Sequence, residues 1–203
     1  MKQFRILFIS IFFFSCEPKA QNSSVQNLDI KNSDSIYGRE LIKNDFLKYT
    51  DNFITDSLKT EVINNFNIYD ENNLRIAHID AEELAKFNFD FFLPQLNKIL
   101  AKRNVSLIVT TSIDYEKTND IIINNETIKL YTKKELENQS FWDTAPRIFF
   151  RKLNQILKSK NINEQFYLLY DGNDLQTILL TNEQFLIITE YYNNKEKEKP
   201  YLP

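Results

Sequence analysis

The chain has 203 residues, of which 42% are hydrophobic, 14% aromatic and 26% charged. This composition is typical of a globular domain and excludes a disordered or fibrous protein, and the length suits one domain with additional terminal segments. The formal charge of −3 argues against a nucleic-acid partner, because binding to phosphates requires a concentrated basic surface.

The first 15 residues have the pattern of a secretory signal peptide. Lys2 and Arg5 are basic, residues 6–14 are apolar apart from Ser10, and a small residue, Ser15, follows. The apolar run is much shorter than the roughly 20 residues that cross a membrane, which makes a permanent transmembrane helix the weaker interpretation. We therefore predict a signal peptide over residues 1–15.

The segment Phe13-Phe14-Ser15-Cys16 resembles the lipobox of bacterial lipoproteins, in which a small residue precedes a cysteine that becomes the lipidated N-terminus. Ser15 and Cys16 match this pattern, whereas Phe13 stands where Leu is usual and Phe14 where Ala, Ser or Thr is usual. The resemblance implies lipidation of Cys16 and anchoring in a bacterial envelope membrane. We favour the outer over the inner membrane, although the sequence leaves that choice open. The domain would then face the periplasm or the cell surface.

Two further consequences follow from this leader. Cys16 is the only cysteine, which excludes an intramolecular disulfide. Cleavage before Cys16 would remove two of the 25 basic residues and none of the 28 acidic ones, leaving a formal charge of −5. Anchoring is therefore expected to come from the acyl chains rather than from attraction to anionic lipids.

Residues 16–38 are polar and lack sustained periodicity, which predicts a lipidated N-terminus followed by a flexible linker. We expect the globular domain to span residues 39–192. Its first helix is indicated by apolar residues at helical spacing, namely Ile42, Phe46, Tyr49, Phe53, Leu58 and Val62. Residues 66–69 and 74–79 read as a hairpin around a polar turn.

Asp80 and Glu83 have the spacing of a capping box, which predicts a helix that continues to about Arg103 and is divided at Pro94. Residues 105–111 read as a strand. Residues 120–123 and 126–132 read as a hairpin turning at Asn124-Asn125, because Asn tolerates a positive φ.

Thr132 and Glu135 repeat the capping pattern, and the helical region after them extends to about Lys160 with a break expected around residues 144–146. Its apolar stripe contains Phe149, Leu153, Ile156 and Leu157. We expect three strands to follow, at residues 164–170, 175–180 and 185–192, and then a mobile charged tail over residues 193–203.

These elements predict an α+β fold with a mainly antiparallel sheet and helices on one face. Each half of the chain reads as a helix followed by three strands. The pattern therefore suggests an αβββ unit used twice.

No recognised catalytic, cofactor or metal motif is present, and we assign no residue to any of these roles. His78, the only histidine, lies close to Asp80 and Glu82, so an acid–base site can be envisaged. A capping role for Asp80 and a strand-end position for His78 are the simpler interpretation. A small envelope hydrolase that uses these residues is an alternative function.

Trp142 is the only tryptophan, and with Arg147 it forms the candidate interface. A partly exposed Trp beside Arg makes a good protein-binding anchor, although most tryptophans pack in cores. Asp143 and Arg147 are spaced for a helical ion pair. We expect a non-catalytic lipoprotein that binds a protein or envelope component. An immunity-type lipoprotein that neutralises a toxin is a further alternative.

Overall fold

The computed structural model describes the backbone of residues 23–203 and the side chains of residues 32–203. The predicted signal peptide and Cys16 lie outside these residues. Helix accounts for 52% and strand for 16% of the structure, and the strands form two antiparallel three-stranded sheets. The predicted α+β class is confirmed.

The described residues form eight α-helices and six strands. The helices are α1 (Ser23–Lys43), α2 (Asn52–Asn65), α3 (Ala81–Ala85), α4 (Leu93–Ala101), α5 (Tyr115–Thr118), α6 (Lys133–Glu137), α7 (Phe141–Ser159) and α8 (Asn182–Tyr191). The strands are β1 (Ile76–His78), β2 (Val109–Thr111), β3 (Asp120–Ile123), β4 (Glu126–Lys129), β5 (Glu164–Leu169) and β6 (Gln176–Thr181).

The central sheet has the strand order β1-β6-β5, and both of its faces are buried. Side chains alternate along β5, so that Phe166 and Leu168 join a larger hydrophobic core while Tyr167 and Leu169 join a smaller one. Helices α3, α4 and α7 contribute to the larger core, and α1, α2 and α8 to the smaller. The prediction of helices on one face is therefore wrong for this sheet, which has helices on both faces. The continuous apolar run of β5 explains this arrangement, because a strand buried on both faces has apolar residues at successive positions.

The small sheet has the strand order β2-β3-β4. Asn124 and Asn125 have φ values of 47° and 71°, the left-handed conformation that a two-residue hairpin turn requires. Ile121 and Ile123 of β3 bury their side chains in the larger core. The predicted hairpin is confirmed, and it packs on the same side of the central sheet as α7.

The two sheets do not divide the chain into repeated αβββ units. β1 comes from the first half of the chain but pairs with β6, placing Ile76 opposite Ile178. Residues 66–69, predicted as the hairpin partner of β1, are not a strand. Instead, Asp70 caps a short 3-10 turn before β1 by accepting a hydrogen bond from the Asn72 N–H at 2.9 Å.

Residues 182–191 form α8, so the strand predicted at 185–192 is wrong. The Gln184 N–H donates to Thr181 Oγ1 at 3.2 Å, and the Thr181 N–H donates to Gln184 Oε1 at 3.1 Å. This capping box starts the helix directly after β6. The aromatic and β-branched residues of the segment favour a strand locally. The cap and the burial of Ile188 in the smaller core nevertheless stabilise a helix.

The predicted linker is helical from Ser23 onward, and the folded domain begins before residue 39. Asp34 is buried, and its Oδ1 accepts a hydrogen bond from the Tyr191 hydroxyl at 2.7 Å. Gly38 lies against α2 so closely that a Cβ at this position would be 2.2 Å from the Val62 carbonyl oxygen. Gly38 therefore allows two helices to touch, rather than loosening a linker.

The single helix predicted from Ile42 to Val62 is two helices joined by a turn. Asp45 in this turn has a left-handed φ of 60°. Phe46 and Val62 are buried as predicted, but Phe53 is 85% exposed. The turn resets the helical phase, which moves Phe53 off the buried stripe.

The predicted helix starts at Asp80 and Thr132 are confirmed. Asp80 Oδ1 accepts hydrogen bonds from the N–H groups of Glu82 and Glu83 at 2.9 and 3.2 Å, and Thr132 begins α6 with a capping box. Pro94 lies at the start of α4, which is separate from α3. Pro146, however, lies inside α7, and the break expected beside it falls at residues 138–140 instead.

The C-terminal segment, residues 196–203, packs on the domain, so the prediction of a mobile tail is wrong for it. The Leu168 N–H donates to the Tyr201 carbonyl at 2.8 Å, and the Tyr201 N–H donates to the Leu168 carbonyl at 2.9 Å. Glu198 Oε2 accepts hydrogen bonds from the Tyr170 hydroxyl at 2.7 Å and the Tyr69 hydroxyl at 3.1 Å. The segment thus covers part of the β5 edge.

Candidate interaction cleft

Two adjoining hollows lie between α7, the turn that joins β5 to β6, and the C-terminal segment. Their volumes are about 460 and 280 Å³, and both are lined by Asp143, Asp171 and Tyr201. We call the two together the α7 cleft. Arg147 lines the larger hollow and Trp142 the smaller one, so the structure brings both predicted interface residues to one cleft.

Trp142 is the second residue of α7 and is half-buried. Its ring centroid lies 4.0 Å from that of Phe141, and the side chain packs against the larger core. Trp142 also lines the 280 Å³ hollow. Trp142 therefore packs against the core and is also accessible from the cleft.

Arg147 is held in a defined position. Its Nε lies 2.9 Å from each carboxylate oxygen of Asp143, which confirms the ion pair expected from their spacing. Its Cζ lies 5.1 Å from the centroid of the Tyr201 ring. The hydrogen bond with Asp143 raises the pKa of Arg147 above its ordinary value. Arg147 is thus a fixed positive charge between α7 and the C-terminal segment.

The turn between β5 and β6 contributes two exposed carboxylates, Asp171 and Asp174. Neither carboxylate has a hydrogen bond or ion pair with the described residues. Asp171 lines both hollows, whereas Asp174 lines only the larger of the two. Burial raises the pKa of Tyr201, Arg147 opposes this shift, and the charges of Asp143 and Asp171 reinforce it. The carboxylates of Asp143 and Asp171 therefore both act on the Tyr201 phenol.

Another hollow, of about 600 Å³, lies between the C-terminal half of α7 and the edge of β5. Arg151, Lys158 and Gln165 are among its lining residues, and none of its lining residues is aromatic. Aromatic and Arg side chains provide most of the binding energy at protein interfaces. The α7 cleft is consequently the stronger candidate despite its smaller hollows.

His78 ends β1 at the surface. Its Nε2 donates a hydrogen bond to the Asn173 carbonyl at 2.8 Å, and its ring packs edge-on against Phe91 with centroids 5.5 Å apart. The two carboxylates considered as its catalytic partners have other contacts, because Asp80 caps α3 and Glu82 pairs with Lys86. These contacts give all three side chains structural roles.

A buried charge cluster that sequence analysis missed lies near the start of β5. Arg75, Arg103 and Glu164 are only 1%, 7% and 5% exposed. Arg75 Nη1 donates to Glu164 Oε1 at 2.6 Å, and the Tyr49 ring centroid lies 3.8 Å from Arg103 Cζ. Other guanidinium hydrogens bind backbone carbonyls of Asp45, Phe46, Leu74, Ile99 and Leu179. The cluster therefore joins separate parts of the fold.

The charges of this cluster are mutually stabilised. Burial by itself raises the pKa of Glu164, but the hydrogen bond from Arg103 and the charge of Arg75 outweigh it and hold that pKa below its ordinary value. Burial lowers the pKa of Arg75 to about 10, so its guanidinium stays charged at neutral pH. The available sequence signal was a charged residue between apolar neighbours, as at Leu74-Arg75-Ile76.

Among the side chains described, those of residues 32–203, no three His, Cys, Asp or Glu residues are grouped so that they could hold a metal ion. None of the helices described has the length and apolar character needed to span a bilayer. Comparison of the chain with protein-family models, curated proteins and solved structures finds no match.

Proposed function

We propose that this protein is a bacterial envelope lipoprotein whose α+β domain binds another protein through the α7 cleft. The proposed binding role is supported by the grouping of Trp142, Arg147 and Tyr201 at one cleft. Trp, Tyr and Arg are the residue types most enriched among the energetically dominant positions of protein interfaces. Arg147 is also positioned before any partner arrives, which reduces the entropy lost on binding.

The membrane tether is supported by the signal-peptide pattern and the lipobox resemblance at Cys16. Two or more acyl chains suffice for stable anchoring. Mass spectrometry of the mature protein should find a lipidated N-terminal cysteine, and Cys16→Ser should move the protein out of the membrane fraction. An unmodified thiol, or a serine variant that remains in the membrane fraction, would contradict the tether.

The binding function can be tested by crosslinking in intact cells, followed by capture from a detergent extract. Trp142→Ala and Arg147→Glu should each reduce recovery of a partner that the unaltered protein captures. Phe53→Ala is the matched control, because Phe53 is an exposed aromatic residue on α2, which packs on the opposite face of the central sheet. Circular dichroism verifies folding of each variant. Equal recovery by Arg147→Glu, Trp142→Ala and Phe53→Ala would contradict the proposal.

A further inference from the structure

The 280 Å³ hollow of the α7 cleft combines apolar walls with an acidic lining. Its walls are formed by Ala81, Trp142, Pro146, Leu168, Leu175 and Tyr201. The charged residues that line it are Asp143 and Asp171, and no Lys or Arg lines it. Lys86 Nζ lies 6.0 Å from the Trp142 ring centroid, but Lys86 is not part of the lining. The hollow is therefore an aromatic slot with uncompensated negative charge.

The two carboxylates differ in how far they are neutralised. Asp143 shares its charge with Arg147, whereas Asp171 has no ion-pair or hydrogen-bond partner among the residues described. A neutral apolar occupant would displace water from Asp171 without replacing its hydrogen bonds, which is unfavourable. An anionic occupant would be repelled. The lining thus favours an occupant that has both an apolar stem and a positive charge.

The molecule already contains one example of the corresponding arrangement. In the adjoining hollow, the Arg147 guanidinium lies over the Tyr201 ring and binds the carboxylate of Asp143. In the smaller hollow, Trp142 supplies an aromatic ring and Asp171 a carboxylate, and no Arg is among the lining residues. Trp is also the best aromatic partner for a cation.

We propose that this hollow receives an arginine side chain of the partner protein, with its guanidinium between Asp171 and the Trp142 ring. Arg fits better than Lys because its planar group both stacks on aromatic rings and forms paired hydrogen bonds with a carboxylate. The volume lies near the lower limit of ligand pockets, about 300 Å³, which suits one side chain rather than a larger molecule. That the occupant belongs to a partner protein rests on the proposed function.

The experiment uses Trp142 as its own reporter, since it is the only tryptophan. The full protein is titrated with acetyl-Gly-Arg-Gly-amide, and acetyl-Gly-Gln-Gly-amide serves as the neutral probe of similar size. We expect a saturable change in fluorescence with the Arg probe, with a Kd on the order of 1 mM that weakens with added salt. Asp171→Asn should weaken this binding at least tenfold. Asp56→Asn, at an exposed position of α2 outside both hollows of the cleft, should leave it unchanged.

Both substitutions are at exposed positions, so unchanged circular dichroism is expected. Equal responses to the two probes, no saturation at concentrations on the order of 10 mM, or unaltered binding by Asp171→Asn would each overturn the inference. If crosslinking recovers a partner equally well with Asp171→Asn, the inference fails and the proposed function stands. If the Arg probe binds as expected but no partner is ever recovered, the proposed function fails while the chemistry of the hollow stands.

Discussion

Arg103 binds both carboxylate oxygens of Glu164, from Nε to Oε2 at 2.8 Å and from Nη2 to Oε1 at 3.0 Å. Arg75 contacts the same carboxylate, so that two positive charges and one negative charge are buried together. Removal of Glu164 would leave two buried positive charges without a counter-charge, and removal of either arginine would leave the buried carboxylate with fewer hydrogen bonds. The stability of the fold should therefore depend strongly on these three residues.

Substitution Arg103→Ala is expected to lower the free energy of unfolding by about 3–5 kcal/mol, because the buried Glu164 carboxylate would lose two of its three hydrogen bonds and keep only the one from Arg75. Denaturation in urea measures the change. Glu137→Ala is the control, since the Lys133–Glu137 pair is exposed and should contribute at most about 0.5 kcal/mol. Similar losses from both substitutions would show that the buried cluster has no special role.

The same cluster should make stability depend on acid pH. The folded pKa of Glu164 lies below its ordinary value, so its contribution is present above the unfolded pKa of about 4.3 and is lost as the pH falls through the folded pKa. The difference in unfolding free energy between the unaltered protein and Glu164→Gln should therefore shrink as the pH is lowered from about 5 to about 3. A constant difference over this range would contradict the assignment.

The sign of the stability change caused by Gly38→Ala should show whether α1 and α2 are in contact at this residue. Gly to Ala inside a helix normally stabilises by about 0.5–1 kcal/mol. Here the added Cβ would lie 2.2 Å from the Val62 carbonyl oxygen, so Gly38→Ala should destabilise by about 1–3 kcal/mol as α1 is pushed from α2. Asn32→Ala, at an exposed position of the same helix, should be neutral or slightly stabilising. A stabilising effect of Gly38→Ala in thermal unfolding would mean that the two helices do not touch.

Alkaline pH should destabilise the fold through the buried phenol of Tyr192. Burial raises the pKa of Tyr192 to about 12, and the charge of Glu198 adds to this shift, whereas the hydrogen bond with Tyr69 opposes it. The neutral phenol is favoured in the folded protein, so its contribution is complete below about pH 10 and is lost as the pH rises through 12. Stability curves should show this loss, and Tyr192→Phe should reduce it by about 2 kcal/mol. If Tyr192→Phe lost as much stability between pH 10 and pH 12 as the unaltered protein, Tyr192 would not be the group responsible.

Local sequence signals predicted a substantial part of the fold. The Asn124-Asn125 turn, the helix starts at Asp80 and Thr132, and the buried stripe of α7 act over a few neighbouring residues, and these predictions were confirmed. Where local signals competed, prediction failed. Phe185 to Tyr192 combine strand-forming residues with the Thr181–Gln184 cap, and tertiary packing decided for the helix α8.

For the α7 cleft, residue type was enough to select Trp142 and Arg147, since few residues make better interface anchors. Their neighbours could not be predicted, because Asp171 and Tyr201 reach the cleft through the pairing of distant segments. The charge cluster of Arg75, Arg103 and Glu164 was missed for the same reason.

An interface role for Trp142 and Arg147 stays a prediction, whereas the sequence by itself determined the α+β class and the main turns and caps. Each of these depends on contacts between residues close together in the chain. Tertiary structure alone decided that β1 pairs with β6, that Gly38 joins two helices and that Tyr201 closes the cleft. Such contacts join distant segments, and their free energy depends on the packing of the whole domain rather than on any short pattern.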